Sequence, residues 1–231
     1  MTANPTPKSL AGLIDHTVLK PDTDEATVRR VIAEAAEHRF AAVCINPKWV
    51  SLTADALTGT EVKTCTVVGF PLGATTTAQK VHETQVAVTA GADEIDMVVD
   101  MADANAGSED AVRRQISAIA AAAHEGGALL KVILETTLLA EEAKTLVCRA
   151  AEAAGADFVK TSTGFAGGGA TVADIRLMHR EVGGRLGIKA SGGVRTYEDA
   201  IALVKAGATR IGASSSLDIV GAENSSTGES Y

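Results

Sequence analysis

Aromatic side chains are scarce in this chain, which has one tryptophan, two tyrosines and four phenylalanines among 231 residues. So few aromatic residues argue against a recognition surface built on aromatic anchors. The apolar share is 46% and consists mainly of alanine and valine. Small side chains of this kind suit helices that pack closely on a sheet, and 231 residues are enough to bury a large single core.

Basic residues are also too few to balance the acidic ones, because 21 Lys and Arg face 29 Asp and Glu, a formal net charge of −8. Nucleic acid and anionic membranes are therefore poor partners for the molecule as a whole. No apolar run approaches the roughly 18 residues of a membrane span. The first residues lack a basic segment followed by a long apolar run, so we expect no secretion signal and a cytoplasmic protein.

Cysteine is limited to Cys44, Cys65 and Cys148. The number is odd and the spacing is not that of metal ligands, which predicts reduced thiols, no disulfide framework and no metal site. His16, beside Asp15, is expected to pack near the first strand rather than to bind a metal.

A short pattern recurs, in which a helical stretch ends in Ala-Gly-Ala and a β-branched run follows at once. It occurs at residues 90–93, 154–157 and 206–209, with a looser copy at 126–128. Glycine adopts the left-handed conformation that ends a helix, and the small residue allows a tight turn into a strand. The pattern therefore predicts a repeated unit of helix, glycine cap and strand.

Eight such strands and six helices can be placed along the chain. The strands are predicted near 12–16, 41–45, 63–69, 93–99, 129–134, 157–161, 186–190 and 209–212. The helices are predicted near 24–38, 77–90, 109–124, 141–154, 171–181 and 196–206, with Ser108 and Thr196 as N-caps. This alternation indicates an α/β protein with a single (β/α)8 TIM barrel over residues 1–220 and a flexible tail over 221–231. A doubly wound open sheet is the alternative.

Charged and polar residues stand where buried strands should be apolar. They are Asp15 in the first strand, Cys44 in the second, Asp96 in the fourth, Lys131 in the fifth, Lys160 in the sixth and Lys189 in the seventh. We place Asp15, Lys160 and Lys189 at the ends of their strands, where barrel enzymes keep their active residues. A single lysine there can be the first solvated residue, but Lys160 and Lys189 both lead into glycine-bearing loops, and two together favour chemistry.

Two neighbouring lysines have a specific chemical use. A lysine with an ordinary pKa near 10.4 is protonated at neutral pH, and only the neutral amine attacks a carbonyl. A second ammonium lowers the pKa of the first. Lys160 and Lys189 therefore predict imine chemistry, with Asp96 holding the second lysine protonated and relaying protons through water.

Glycine and serine follow the last two predicted strands, as Gly192 and Gly193, and then as Ser214 and Ser215 at the start of a short helix. Loops at these places in a barrel often bind phosphate through backbone N–H groups and a helix N-terminus. Each glycine stretch alone is equally compatible with a tight turn. Together they favour a phosphate site.

At these residues the sequence resembles the deoxyribose-phosphate aldolases, a family of class I aldolases. The matching stretches span nearly the whole chain in order: residues 14–17, 42–45, 91–96, 130–136, 158–164, 188–196 and 210–214. The resemblance implies reversible cleavage of 2-deoxy-D-ribose 5-phosphate to acetaldehyde and D-glyceraldehyde 3-phosphate, with no cofactor or metal.

The resemblance also implies a role for each candidate residue. Lys160 forms the Schiff base, Lys189 lowers its pKa, and Asp96 transfers protons. Asp15, Thr17, Cys44 and Lys131 line the substrate pocket. Gly192, Gly193, Ser214 and Ser215 bind the phosphate.

Two positions bear on how far the resemblance extends. Some family members have a phosphate-binding lysine where this chain has Phe165, so the phosphate is expected to rely more on backbone N–H groups. Some family members end in tyrosine, as this chain does at Tyr231. That tyrosine either reaches the site as a proton relay or has no role.

Other functions left open are a transaldolase-like enzyme or isomerase and a non-catalytic sugar-phosphate sensor. A homodimer is expected because two-fold dimers are the commonest oligomers.

Overall fold

The computed structural model describes residues 6–221. Eight parallel strands form a closed barrel in sequence order, and the last strand pairs with the first. The strands are β1 (Ile14–Val18), β2 (Ala42–Ile45), β3 (Lys63–Val68), β4 (Glu94–Val98), β5 (Leu129–Ile133), β6 (Phe158–Lys160), β7 (Gly187–Ser191) and β8 (Arg210–Ala213). The predicted (β/α)8 TIM barrel is confirmed, and the open-sheet alternative is wrong.

Ten α-helices precede, separate or follow the strands along the described part of the chain. They are α1 (Pro7–Ala11), α2 (Glu25–His38), α3 (Val50–Leu57), α4 (Thr77–Thr89), α5 (Met101–Asn105), α6 (Glu109–Glu125), α7 (Glu141–Ala153), α8 (Val172–Val182), α9 (Tyr197–Ala206) and α10 (Ser216–Ile219). All six predicted helices are present within two residues of their predicted ends. The sequence did not predict α1, α3 and α5, because helices of five to eight residues show too few turns for a clear periodicity. None of the helices formed by residues 6–221 has the length and apolar character of a membrane span.

The two predicted N-caps differ. The Thr196 side chain accepts a hydrogen bond from the Asp199 backbone N–H and forms a full capping box with it. Ser108 occupies the N-cap position of α6, but its side chain makes no capping hydrogen bond. Glu109 and Asp110 in the first turn of α6 still complement the helix dipole.

The recurring glycines sit where the pattern placed them, between a helix and the next strand. Gly91 and Gly155 have φ of 102° and 81°, in the region that favours glycine. Each lets α4 or α7 end and the chain turn at once into β4 or β6.

The hydrophobic core lies outside the barrel, between the strands and the helices. Strand residues of one parity, such as Ile95, Val132 and Ile211, are fully buried there. Strand residues of the other parity fill the barrel interior. There the structure corrects two predicted positions: Asp15 is the second residue of β1 and Lys189 the third residue of β7, so neither ends its strand. A charged side chain does not end these strands because it is neutralised inside the barrel. Lys160 does end β6, as predicted.

Candidate active site

The barrel interior is filled by side chains in layers that alternate strands contribute. The lower layer consists of Ala42, Glu94, Phe158 and Arg210. The middle layer consists of Asp15, Cys65, Lys131 and Lys189. The upper layer consists of Cys44, Asp96, Lys160 and Gly212, one step further toward the carboxyl ends of the strands. Seven of these side chains carry charge and form what we call the charged cluster: Asp15, Glu94, Asp96, Lys131, Lys160, Lys189 and Arg210.

Asp96 lies at the centre of the charged cluster. Its Oδ2 accepts hydrogen bonds from the Nζ atoms of Lys160 and Lys189, both at 2.7 Å. Its Oδ1 accepts from Lys131 Nζ, also at 2.7 Å. Because Lys160 and Lys189 share one oxygen, the structure brings the two predicted lysines together on one carboxylate.

Further ion pairs connect these lysines to the carboxylates of the middle and lower layers. Asp15 accepts from Lys189 through Oδ2 and from Arg210 through Oδ1, the latter at 2.7 Å. Glu94 bonds Lys131 Nζ at 2.6 Å and Arg210 at 2.9 Å. Every carboxylate in the charged cluster therefore touches at least two cations, as buried charges require.

These contacts set the ionisation of the carboxylates. Burial alone would raise the pKa of Asp96, but Lys131, Lys160 and Lys189 outweigh it and hold that pKa well below its usual range. Burial likewise opposes ionisation of Asp15, yet its cationic neighbours lower its pKa to about 2. Both side chains are therefore ionised near neutral pH.

The lysines below the mouth are held protonated by the same contacts. Burial alone would lower the pKa of Lys189, but Asp15 and Asp96 outweigh it and raise that pKa above its ordinary value. Burial also opposes the charge on Lys131, and Asp96 is the strongest of the neighbours that raise its pKa. Lys160 differs in its contacts, because Asp96 is the one carboxylate to which it is paired within residues 6–221.

Cys44 and Thr17 lie on the side of the interior formed by the first strands. Cys44 is fully buried, and a hydrogen bond with Cys65 lowers the pKa of its thiol despite the opposing effect of burial. The Thr17 hydroxyl donates to the Asp15 carbonyl at 2.9 Å. Around the two cysteines the wall is apolar, with Leu19 and Val67 packed beside them. The wall formed by β2 and β3 is thus mainly apolar, whereas the rest of the interior is charged.

The predicted phosphate residues line one cavity of about 370 Å³ beside the barrel mouth. Gly192 and Gly193 enter it from the end of β7, and Ser214 and Ser215 from the end of β8. Arg195 also lines it. The helix after Ser215 has only four residues, so the backbone of the turn, not a long helix dipole, supplies the N–H groups here.

Close backbone contact shapes this cavity. A Cβ on Gly169 would lie 2.1 Å from the Gly192 carbonyl oxygen, a distance that no side chain can occupy. The loop after β6 therefore rests directly on the loop after β7. The Gly192 carbonyl also accepts from the Ala170 N–H at 3.0 Å, which fixes the contact.

Phe165 does not line this cavity. Its ring meets Phe70 edge-on, with centroids 5.3 Å apart. Phe70 follows β3 and Phe165 follows β6, strands that lie apart in the closed barrel, so this contact crosses above the interior. Phe165 thus contributes to an apolar bridge at the mouth.

Some residues of the site were not assigned by sequence reasoning. Glu94 and Arg210 are members of the charged cluster, and the signal for both was present: each stands two residues before an interior position, Asp96 or Gly212. Glu135 is also buried, at the end of β5, and accepts from the backbone and hydroxyl of Thr163 in the loop after Lys160.

Among residues 6–221, two groups of side chains have ligand atoms close enough for a metal ion: Cys44, Cys65 and Asp96, and Asp15, Cys65 and Glu94. All three carboxylates are bonded to lysine or arginine. A divalent cation would have to displace those buried cations, so the residues present do not favour one. The predicted tail and Tyr231 lie outside the described residues, apart from Gly221.

Comparisons with known proteins agree with this geometry. The family model described as "DeoC/LacD family aldolase" matches residues 10–222. The deoxyribose-phosphate aldolase of Micrococcus luteus is 56% identical over 229 residues, covering 96% of this chain and all of that protein. That of Bacillus subtilis is 53% identical over 223 residues, with the same coverage.

Solved structures give the same result. The putative deoxyribose-phosphate aldolase of Coccidioides immitis has a TM-score of 0.92 and 40% identity, covering 95% of this chain and 87% of that one. The deoxyribose phosphate aldolase of Aeropyrum pernix, described as tetrameric, has a TM-score of 0.87 and 35% identity, covering 94% and 91%. With its closed barrel, its buried lysines and these matches, the chain belongs to the DeoC/LacD family of aldolases.

Proposed function

We propose that this aldolase reversibly cleaves 2-deoxy-D-ribose 5-phosphate to acetaldehyde and D-glyceraldehyde 3-phosphate through a Schiff base on Lys160. The observation that carries the proposal is the convergence of Lys160 and Lys189 on one oxygen of Asp96 inside the barrel. The relatives named as deoxyribose-phosphate aldolases support the choice of substrate.

Counting charges favours Lys160 as the nucleophile. The charged cluster contains four cations and three carboxylates, an excess of one buried positive charge. Loss of a proton from Lys160 leaves three cations facing three carboxylates, which reduces the cost of burying the cluster. Lys189 and Lys131 are each held by two or more carboxylates, so they keep their protons.

The reaction follows from this arrangement. The neutral Lys160 amine adds to C1 of the open-chain sugar, and loss of water gives an iminium. A base removes the proton of the C3 hydroxyl, the C2–C3 bond breaks, and its electron pair moves into the iminium to form an enamine. Glyceraldehyde 3-phosphate leaves. Protonation of the enamine at C2 and hydrolysis then release acetaldehyde and restore the amine.

Asp96 and Lys189 have electrostatic and proton-transfer roles in this scheme. The low pKa of Asp96 makes it a poor place to store a proton, so we assign it to holding Lys189 and to relaying a proton through a water. Lys189 provides a fixed positive charge beside Lys160, which disfavours a second ammonium there. Asp15, Thr17, Cys44 and Lys131 form the walls that face the reacting carbons and hydroxyls.

The phosphate end of the substrate is assigned to the cavity of Gly192, Gly193, Ser214 and Ser215. Backbone N–H groups and serine hydroxyls are suitable donors for phosphate oxygens.

The iminium accepts the electron pair that a metal would accept in a metal-dependent aldolase, so the proposal includes no cofactor. An isomerase or a sugar-phosphate sensor would have no use for the paired lysines. The homodimer stays a prediction, and the Aeropyrum pernix relative is described as tetrameric.

One experiment tests the nucleophile. The protein is incubated with acetaldehyde, reduced with borohydride and mapped by mass spectrometry. We expect a two-carbon adduct on Lys160 and none in Lys160→Met. The matched control is Lys144→Met, because Lys144 also bonds a single carboxylate, Asp174 at 2.7 Å, but on the helices outside the barrel. An adduct-free wild-type protein would support the isomerase or the sensor instead.

A further inference from the structure

The His16 side chain joins the barrel wall to the turn that forms the phosphate cavity. His16 lies in β1, and its Cα is the register partner of Ala213 in β8. The ring points out of the barrel, is only 3% exposed and packs against Phe40 with centroids 5.2 Å apart. Its Nδ1 lies 2.9 Å from Ser216 Oγ, and its Nε2 lies 2.7 Å from Glu34 Oε2.

These atoms form a continuous chain of hydrogen bonds. The Ser216 hydroxyl donates to the Ala213 carbonyl at 3.0 Å. The same hydroxyl is hydrogen-bonded to His16 Nδ1, 2.9 Å away, so it links the ring to the Ala213 carbonyl. An ionised carboxylate only accepts, so His16 Nε2 donates to Glu34.

The chain ends at the residues that face the phosphate. Ala213 and Ser216 flank Ser214 and Ser215, both of which line the cavity. Helix α10 has four residues, too few to maintain its own geometry without tertiary contacts. The bonds from Ser216 to Ala213 and His16 therefore determine how the intervening turn presents its N–H groups and hydroxyls.

The far end of the chain is anchored as well. Glu34 lies in α2, and its second carboxylate oxygen accepts from Arg30 at 2.7 Å. Hydrogen bonds from His16 and Arg30 lower the pKa of Glu34 although burial opposes them. Glu34 is thus an ionised acceptor that fixes the orientation of the His16 ring.

We propose that His16 is a positioning residue for phosphate: the Glu34–His16–Ser216 chain fixes the Ser214–Ser215 turn and so sets the affinity for the phosphate of the substrate. The proposal rests on the proposed function of the same cavity. It adds a group of residues outside the barrel that affects phosphate binding without touching the substrate or the reacting atoms. It predicts a loss of phosphate affinity with unchanged chemistry at Lys160.

The test compares His16→Phe with His38→Phe. Both replace a histidine whose ring packs on Phe40, but in the described residues only His16 reaches Ser216. For His16→Phe we expect the KM for 2-deoxyribose 5-phosphate and the inhibition constant of inorganic phosphate to rise about tenfold, the effect of losing a buried hydrogen bond or two. The kcat/KM for unphosphorylated 2-deoxyribose and the acetaldehyde adduct on Lys160 should stay within about twofold of wild type.

Two milder variants separate positioning from misfolding. His16→Asn places an amide where Nδ1 stood, so it can keep the bond to Ser216 and should retain most of the phosphate affinity. Ser216→Ala removes the hydroxyl and should reproduce the rise in KM. Circular dichroism and a thermal melt check that each variant is folded.

Equal losses with both substrates, or a His16→Phe variant that binds inorganic phosphate as wild type does, would overturn the positioning role. In those cases the aldolase proposal would stand. A wild-type protein that forms the acetaldehyde adduct but does not discriminate between phosphorylated and unphosphorylated sugar would instead refute the phosphate cavity itself.

Discussion

Replacing Lys189 by methionine should move the pH–rate profile of the enzyme to higher pH. The nitrogens of Lys189 and Lys160 both lie 2.7 Å from Asp96 Oδ2. Ordinary hydrogen-bond angles at that oxygen put them roughly 4 to 5 Å apart. With an effective dielectric constant of about 20, two positive charges at this separation repel by about 4 kcal/mol.

A repulsion of this size is equivalent to about three pH units, since one unit corresponds to about 1.4 kcal/mol. Asp96 lies between the two ammonium groups and screens part of it, so we expect a shift of about two units. Each unit reduces the neutral amine about tenfold at a fixed pH below its titration. Lys189→Met should therefore lower kcat roughly 100-fold at neutral pH and recover activity as the pH rises.

Cleavage of 2-deoxyribose 5-phosphate is measured from about pH 6 to about pH 10 by NADH oxidation in an alcohol dehydrogenase-linked assay of acetaldehyde. Lys189→Arg is the matched control, because it keeps a positive charge near Asp15 and Asp96. We expect it to lose activity without an alkaline shift. A Lys189→Met profile that coincides with that of wild type, or a rate near wild type at neutral pH, would refute the repulsion argument.

Three further predictions concern the structure that supports the site. The pKa of Asp15 is lowered from the ordinary 3.8 to about 2 in the folded protein, so the stability that its charge contributes is present above about pH 4 and is lost toward pH 2. In urea unfolding, the free energy of unfolding of wild type should therefore fall more steeply with acidification than that of Asp15→Asn. Glu94→Gln removes a charge that Lys131 and Arg210 share, and should lower the free energy of unfolding by about 3 kcal/mol in the same assay. Gly169→Ala would force the loop away from the Gly192 carbonyl, so the KM for the phosphorylated sugar should rise more than that for 2-deoxyribose.

The sequence was sufficient to predict the architecture because the same local physics repeats in each unit. A glycine such as Gly91 ends a helix just before a strand begins, so the helix-to-strand connection can be located in the sequence without knowing the rest of the fold. Short elements such as α3 and α5 have no such signal. Their positions depend on packing against the barrel, which a local pattern does not contain.

For a related reason, the sequence pointed to some members of the charged cluster and missed others. Lys160 and Lys189 were conspicuous because each interrupts an apolar strand. Glu94 and Arg210 were not, because each seemed an isolated charge, and their partnership joins residues 116 positions apart. The ends of β1 and β7 were placed too early because a charge was taken to mark the edge of the core.

The balance of charge inside the barrel explains how one site can favour a neutral amine and then stabilise a cation. The chain has a formal net charge of −8, whereas the charged cluster has one more cation than carboxylates. The excess positive charge is buried in a medium of low dielectric constant, where it acts more strongly than the screened charges of the surface. In the proposed reaction, Lys160 loses that excess charge when it reacts as a neutral amine, and the iminium restores it once the substrate is bound. The field inside the barrel therefore favours the uncharged nucleophile before the bond forms, while Asp96 stabilises the cation that follows.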